Sequence, residues 1–335
     1  MKGYREYTIE ITVKSPLITS FQSDTLFGHI CWAIRFLKWK EEDKLDDFLS
    51  RYDNQKHPPL LISNGFPKGY LPKPIIPPVT QKELEDIIGK DNRVEKSFRI
   101  KTIKKINLMP KESFTFLQQE IITPSKLFRV LDERYEDIMH LEKERQSIIV
   151  QHNTINRLKG KVEAGLYSQE ETFFDKDGSS FEIYLVTDYF TLEDLNRIFK
   201  YISIEGFGRD KSMGKGQFMF EIKEGMDIPN SPKPNAFITL SSYIPSDNDP
   251  TRGYYSIIHK FGKLGGLYAK GIPEVYGNPF KIPLIMFSAG STFFDKNFSQ
   301  NQIYGSLLKN VHKNKNIRHY AFAFPIGVTV EDRYE

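Results

Sequence analysis

Four glycines and three cations fall within eleven residues: Gly206-Phe207-Gly208-Arg209-Asp210-Lys211-Ser212-Met213-Gly214-Lys215-Gly216. Glycine lets a backbone approach a polyanion closely and take positive φ. Backbone N–H groups and cations can then hold phosphate oxygens. A nucleotide P-loop is the nearest rival, and it needs Gly, four residues, then Gly-Lys-Ser/Thr. Here Arg209 stands five positions before Gly214, and Gly216 sits where the metal-binding hydroxyl belongs. The order of elements is also reversed, since this segment leaves a helix and enters a strand. Two readings stay open: a loop that grips RNA through Arg209, Lys211 and Lys215, or a plain tight turn.

A second polar group is His152-Asn153-x-x-x-Arg157. Arginine bonds phosphate bidentately, asparagine reads base edges, and histidine stacks or bonds. The competing reading is a polar loop that orders itself. Between Arg93 and Lys105, six cations face the single acid Glu95. That run is either a solvated helix face or a contact for RNA or a partner. Lone lysines such as Lys260 and Lys309 read as solvated surface charges.

Catalytic signatures are missing. None of the seven histidines has the H-E-x-x-H spacing, and there is no Gly-x-Ser-x-Gly elbow. His29 lies one turn into a helix beside core positions, which predicts a structural role. Asp247 and Asp249 belong to a Ser-Asp-Asn-Asp-Pro turn. Cys31 is the only cysteine, so an internal disulfide and a multi-cysteine zinc site are excluded. No metal or other cofactor is expected. The net charge of +4 is weak for a nucleic-acid binder, so local clustering has to carry the binding.

The elements that must position these residues follow from periodicity. Tyr7, Ile9, Ile11 and Val13 alternate with polar residues and predict a half-buried strand. Ser23-Asp24-Thr25 offers a cap for a helix carrying Leu26, Phe27, Ile30, Ala33, Ile34 and Leu37. Residues 58–78 are rich in Pro and Gly and predict an extended surface segment. Residues 112–165, with poor periodicity at both ends, predict an insertion. A strand at 181–186, a helix capped by Thr191 and a strand at 217–222 complete a first unit. That order suits a split βαβ fold. The segment 229–235 reads as a linker between residues 1–228 and a β-rich second unit, 236–335. No apolar run reaches about 18 residues and the start lacks a signal-peptide core, so a soluble, cytoplasmic protein without a membrane partner is expected.

Several segments together carry a resemblance. The Gly-rich loop between a last helix and a last strand resembles the signature of the RAMP superfamily of CRISPR proteins. Ser23-Asp24-Thr25-Leu26-Phe27-Gly28 resembles that group's early helix. Phe66-Pro67-Lys68-Gly69-Tyr70-Leu71-Pro72-Lys73-Pro74, His152 to Arg157, Asn278-Pro279-Phe280-Lys281 and His319 to Pro325 are similar to the tag-binding subunit family of type III-A Csm complexes. The resemblance implies an α+β fold of tandem ferredoxin-like (RRM-like) domains with a Gly-rich loop and an inserted thumb. It implies a non-catalytic subunit that holds the 5′ repeat-derived tag of the crRNA. The implied partners are the large palm-domain Csm subunit and a backbone Csm subunit with the RAMP fold. RNA contacts are then expected at Ser23, Lys73, His152, Asn153 and Arg157, and at Gly206, Gly208, Arg209, Lys211, Ser212, Gly214, Lys215 and Gly216. The alternative within the superfamily is an endoribonuclease that processes precursor crRNA, which would need a general base near a 2′-OH.

Overall fold

In the computed structural model, residues 3–37, 44–54, 56–88, 93–156, 161–175, 177–299 and 301–333 are described. Strand β1 (Arg5–Val13) buries Tyr7, Ile9, Ile11 and Val13 on one face, as the alternation requires. Helix α1 (Ser23–Phe36) follows and buries Leu26, Phe27, Ile30, Ala33 and Ile34. Its expected cap is not formed. Gln22 holds the cap position, and its side chain caps no helix N–H. Instead the Ser23 N–H donates to Asn64 Oδ1 at 2.8 Å, so a residue 41 positions away satisfies the helix start. After α2 (Lys44–Ser50) comes β2 (Leu60–Pro67). This corrects the expectation of a surface segment, since Leu60, Leu61 and Ile62 are fully buried. The prolines are harmless there because Pro58 and Pro59 precede the strand, and Pro67 ends it on a sheet edge.

The chain then leaves the sheet from 68 to 179, a longer excursion than the 112–165 insertion. It carries β3 (Tyr70–Pro72), α3 (Gln81–Ile88), α4 (Arg93–Lys105) and β4 (Leu108–Pro110). Next come α5 (Lys111–Gln118), α6 (Pro124–Glu133) and α7 (Tyr135–Lys143). These last three helices escape a periodicity reading because each is at most ten residues long, under three turns. A long ribbon, β5 (Arg145–Asn156) and β6 (Lys161–Phe174), closes the excursion. Then β7 (Ser180–Thr187), α8 (Leu192–Glu205) and β8 (Phe218–Glu224) complete the first sheet. Thr191 and Asp194 form the capping box of α8. The sheet order is β2-β7-β1-β8, every pair antiparallel.

The remaining strands are β9 (Ala236–Thr239), β10 (Gly253–Tyr254), β11 (Ile257–Lys260), β12 (Leu284–Phe287), β13 (Thr292–Phe294), β14 (Leu307–Leu308), β15 (His319–Tyr320) and β16 (Pro325–Val328). A second antiparallel sheet has the order β10-β13-β9-β16. Numbered in chain order within each sheet, both sheets read second, third, first, fourth. No α-helix occurs after Glu205 among the described residues. Aromatic rings fill one side of the second sheet instead, with Phe237 stacked on Tyr304 at 4.1 Å and tilted against Phe293 at 5.5 Å. Ala236 and Ile238, pointing the other way, join the core that also holds Tyr7, Phe27 and Leu61. The expected linker is pinned rather than loose: Asn230 accepts from Gly327 N at 2.6 Å, and Asn235 exchanges two bonds with Val330. No described helix is long and apolar enough to cross a membrane.

Tyr320, on β15 outside both sheets, ties the C-terminal unit to α1 and β2. Its ring lies 5.1 Å from Phe27, and its hydroxyl accepts from the buried Ile62 N–H at 3.0 Å, where β2 breaks register. Tyr320→Phe would leave that N–H unpaired and is expected to cost about 1–3 kcal/mol. The urea midpoint should fall with the m value unchanged. An unchanged midpoint would show that another group takes the bond.

Candidate nucleic-acid interface

The Gly-rich loop runs from the end of α8 to the start of β8, and its base is closed by the backbone. Phe207 N donates to Gly216 O at 2.9 Å, and Gly216 N donates to Pro16 O at 3.0 Å. Gly216 has φ +69°, and a Cβ on it would lie 2.0 Å from Phe207 O. Only glycine closes the loop there. Gly214, at the tip, has φ +81° with open space around it. Lys211–Met213 form a single 3-10 turn that ends at Gly214.

Helix α1 holds the loop from beneath. Gly208 N donates to His29 Nε2 at 3.0 Å, and Arg209 N donates to Thr19 Oγ1 at 3.2 Å. Phe207 is buried between the His29 and Phe21 rings, each 4.6 Å away. Burial of the imidazole and the nearby Lys211 ammonium push the His29 pKa down to about 3. The ring is therefore neutral and acts as an acceptor.

The β5–β6 ribbon holds the loop from the side. Glu171, only 1% exposed, accepts from Lys215 Nζ and lies 3.1 Å from His152 Nε2. Gln169 Nε2 donates to Asp210 Oδ2 at 2.9 Å, while Leu17 and Thr172 exchange backbone bonds of 3.0 and 2.8 Å. The His152 ring stacks on Tyr167, 5.4 Å away and 20° from parallel. Lys211 pairs with Glu205 at 3.2 Å, and Arg209 Nε is 3.7 Å from Asp210. What the loop turns outward is Arg209, Ser212, Met213 and Gly214.

No protein-family model and no curated protein matches this chain. Solved structures do. A chain of a Csm3–Csm4 subcomplex from a type III-A CRISPR–Cas interference complex matches with TM-score 0.56 and 16% identity. The match covers 96% of this chain and 99% of that one. A chain of a Csm1–Csm4 cassette in complex with pppApA matches with TM-score 0.54 and 16% identity, over 97% and 99%. A Csm1–Csm4 cassette with AMPPNP gives 0.54 and 17%, over the same shares. This chain has the fold of these Csm chains.

Within the Csm-type fold, the residues expected to touch RNA divide. His152 and the loop, some 60 positions apart in sequence, meet through Glu171. Asn153 is exposed next to His152. Arg157 lies outside the described residues. Gly206 and Gly216 are buried, so they shape the loop and present no face to RNA. Ser23 is also fully buried, which corrects its assignment to the RNA surface: it sits in the first turn of α1, beneath Asn64. Lys73 is elsewhere, with its Nζ donating to Lys104 O at 3.3 Å and its N to Asn107 O, beside α4. Lys260 is no solvated charge either. It bonds Asp24 at 2.8 Å, and Asp24 lies 3.9 Å from His319. Lys281 donates to Arg318 O at 2.7 Å, and burial lowers its pKa to about 8. Three segments that carry the resemblance therefore meet in a buried polar knot. Glu171, Gln169 and Thr19 are site residues that the sequence did not mark, because their spacing in the chain follows no motif.

Two outcomes follow. Gly214→Ala should cost about 1–2 kcal/mol, for the positive φ alone. Gly216→Ala should cost clearly more, because the Cβ also strikes Phe207 O; urea midpoints rank the pair, and the reverse order would contradict this closure. The second outcome is a pH effect. The folded pKa of His29 lies below that of an unfolded histidine, near 6.5. The unfolded chain then binds the proton more readily, so this stability is whole above about pH 6.5 and is lost as pH falls toward 3. His29→Gln keeps an acceptor that does not titrate. It should flatten the fall in the urea midpoint between pH 7 and 5, whereas an equal slope in both proteins would take His29 out of the linkage.

Proposed function

We propose that this chain is a non-catalytic crRNA-binding subunit of a type III-A Csm interference complex. In this reading it holds the 5′ repeat-derived tag and joins the large palm-domain subunit to a RAMP-fold backbone subunit. The observation that carries the proposal is the construction of the Gly-rich loop. It is closed at its base, buttressed by α1 and β6, and turns Arg209 and Ser212 outward, while Glu171 ties it to His152 on the ribbon. A rigid loop with outward donors suits a phosphate backbone, because little ordering entropy is lost on binding. The match to chains solved with Csm1 and with Csm3 supports two protein neighbours. The shared strand order of the two sheets supports tandem ferredoxin-like domains, the second without its helices.

One observation favours a second reading. His152, Glu171 and Lys215 form a histidine–carboxylate–ammonium group at the loop, which could serve acid–base cleavage beside a 2′-OH. The scaffold reading is preferred because the carboxylate is sealed from solvent with both oxygens occupied.

Binding of tagged guide RNA across a salt series tests the proposal. Replacing Arg209 and Lys211 by Ala, with the structural Lys215 kept, should weaken binding and lower the salt slope by about 0.7 for each phosphate that is no longer neutralised. An unchanged affinity and slope would remove the loop from the RNA site. His152→Ala should leave precursor RNA uncut to the same extent as wild type. A cleavage rate that exists in wild type and vanishes in this variant would support the endoribonuclease instead.

A further inference from the structure

Strands β11 and β12 form a two-stranded ribbon with Ile257 opposite Phe287, Ile258 opposite Met286, His259 opposite Ile285 and Lys260 opposite Leu284. The ribbon continues through Gly262–Lys281, Lys263–Phe280 and Leu264–Pro279 backbone pairings. Paired residues of an antiparallel ribbon share a face, and the faces alternate along each strand. The inner face holds Met286, 1% exposed, and Lys260, which bonds Asp24 of α1. A solvated outer face should be polar. Here it carries Ile257 at 50% exposure, Phe261 at 70% and Ile285 at 61% around the exposed His259, with Phe280 and Ile282 also exposed on the same ribbon. An exposed face with this many large apolar side chains and a single imidazole marks an interaction surface.

The charges around this face select the occupant. Between residues 253 and 294 the only acid is Glu274, against Lys260, Lys263, Lys270 and Lys281. Lys260 and Lys281 turn inward, while Lys263 and Lys270 are exposed, Lys263 at the rim 5.9 Å from the Phe280 ring. A second copy of the chain would set a cationic rim against another. RNA would welcome the cations, but three of the five apolar residues are isoleucines, which have no π-face for a base. The combination fits a protein surface with an apolar centre and a carboxylate rim.

We propose that the outer face of the β11–β12 ribbon docks an acid-rimmed apolar surface of a neighbouring protein subunit. The choice of that neighbour rests on the Csm reading above. The test uses the full chain, the purified large and backbone Csm subunits of the same complex as probes, and tagged guide RNA in parallel. Ile285→Lys and Ile285→Asp should each weaken pairing with one of the two subunits by about 30-fold or more, the loss typical of an interface anchor. Thermal melting and guide affinity should be unchanged. Phe261→Lys, at a still more exposed position, should do the same and covers the case in which an Ile285 variant misfolds. Wild-type pairing with neither subunit, or affinities for both that none of the variants alters, overturns the proposal. A guide affinity that falls with Asp and rises with Lys would assign the face to RNA and also overturn it, as would a wild-type dimer that the variants split. If the wild-type chain pairs as expected but ignores the guide, the RNA-binding reading fails and the docking face stands.

Discussion

Helix α1 has to satisfy three surfaces at once, and the other elements take their places around it. Its stripe of Leu26, Phe27, Ile30, Ala33 and Ile34 seals the first sheet, and each large side chain buried there contributes about 1.5–3 kcal/mol. At about 100° per residue, Asp24 and Phe27 lie roughly 60° apart, and His29 lies about 140° from Asp24. The first two reach the C-terminal unit through Lys260 and Tyr320. His29 faces the other way and takes the Gly208 N–H. One helix thus couples the C-terminal unit to the loop.

The loop gains its shape from closure and from a buried carboxylate. Glu171 is sealed from water, a costly state for a charge unless it is paired. Lys215 and His152 supply the pairing, one from the loop and one from the ribbon. Removing Lys215 would strand the charge, so the ribbon and the loop are held in one arrangement. The same pairing uses up the inward cation Lys215 and leaves Arg209 as the most exposed one, with its side chain 60% accessible.

The second sheet shows how one strand order can be sustained without helices. In the first sheet, α1 and α8 cover a face; in the second, the rings of Phe237, Tyr304 and Phe293 do so. Ring stacking adds specific geometry to the burial of large apolar area, and it needs no amphipathic helix. The strands there are short, and β9 is buried on both faces, so it lacks the polar alternation of β1.

Local signals were legible wherever neighbours in sequence are also neighbours in space. The alternation of β1, the α1 stripe, the Thr191 cap and the glycines of the loop all act within one or two turns, and the structure keeps them. The resemblance in scattered motifs also pointed to the fold. Tertiary structure alone decided which of those motif residues face solvent. Ser23 and Lys260 read as exposed, yet Ser23 is buried and Lys260 is held in an ion pair, because Asn64 and Asp24 approach them from distant segments. Residues 58–78 read as surface, yet β2 closes an edge of the first sheet, since the prolines fall at strand ends. His152 and Glu171 gain their place at the loop only when the ribbon folds back on it. Burial and charge pairing depend on what comes near in space, and no periodicity along the chain encodes that distance.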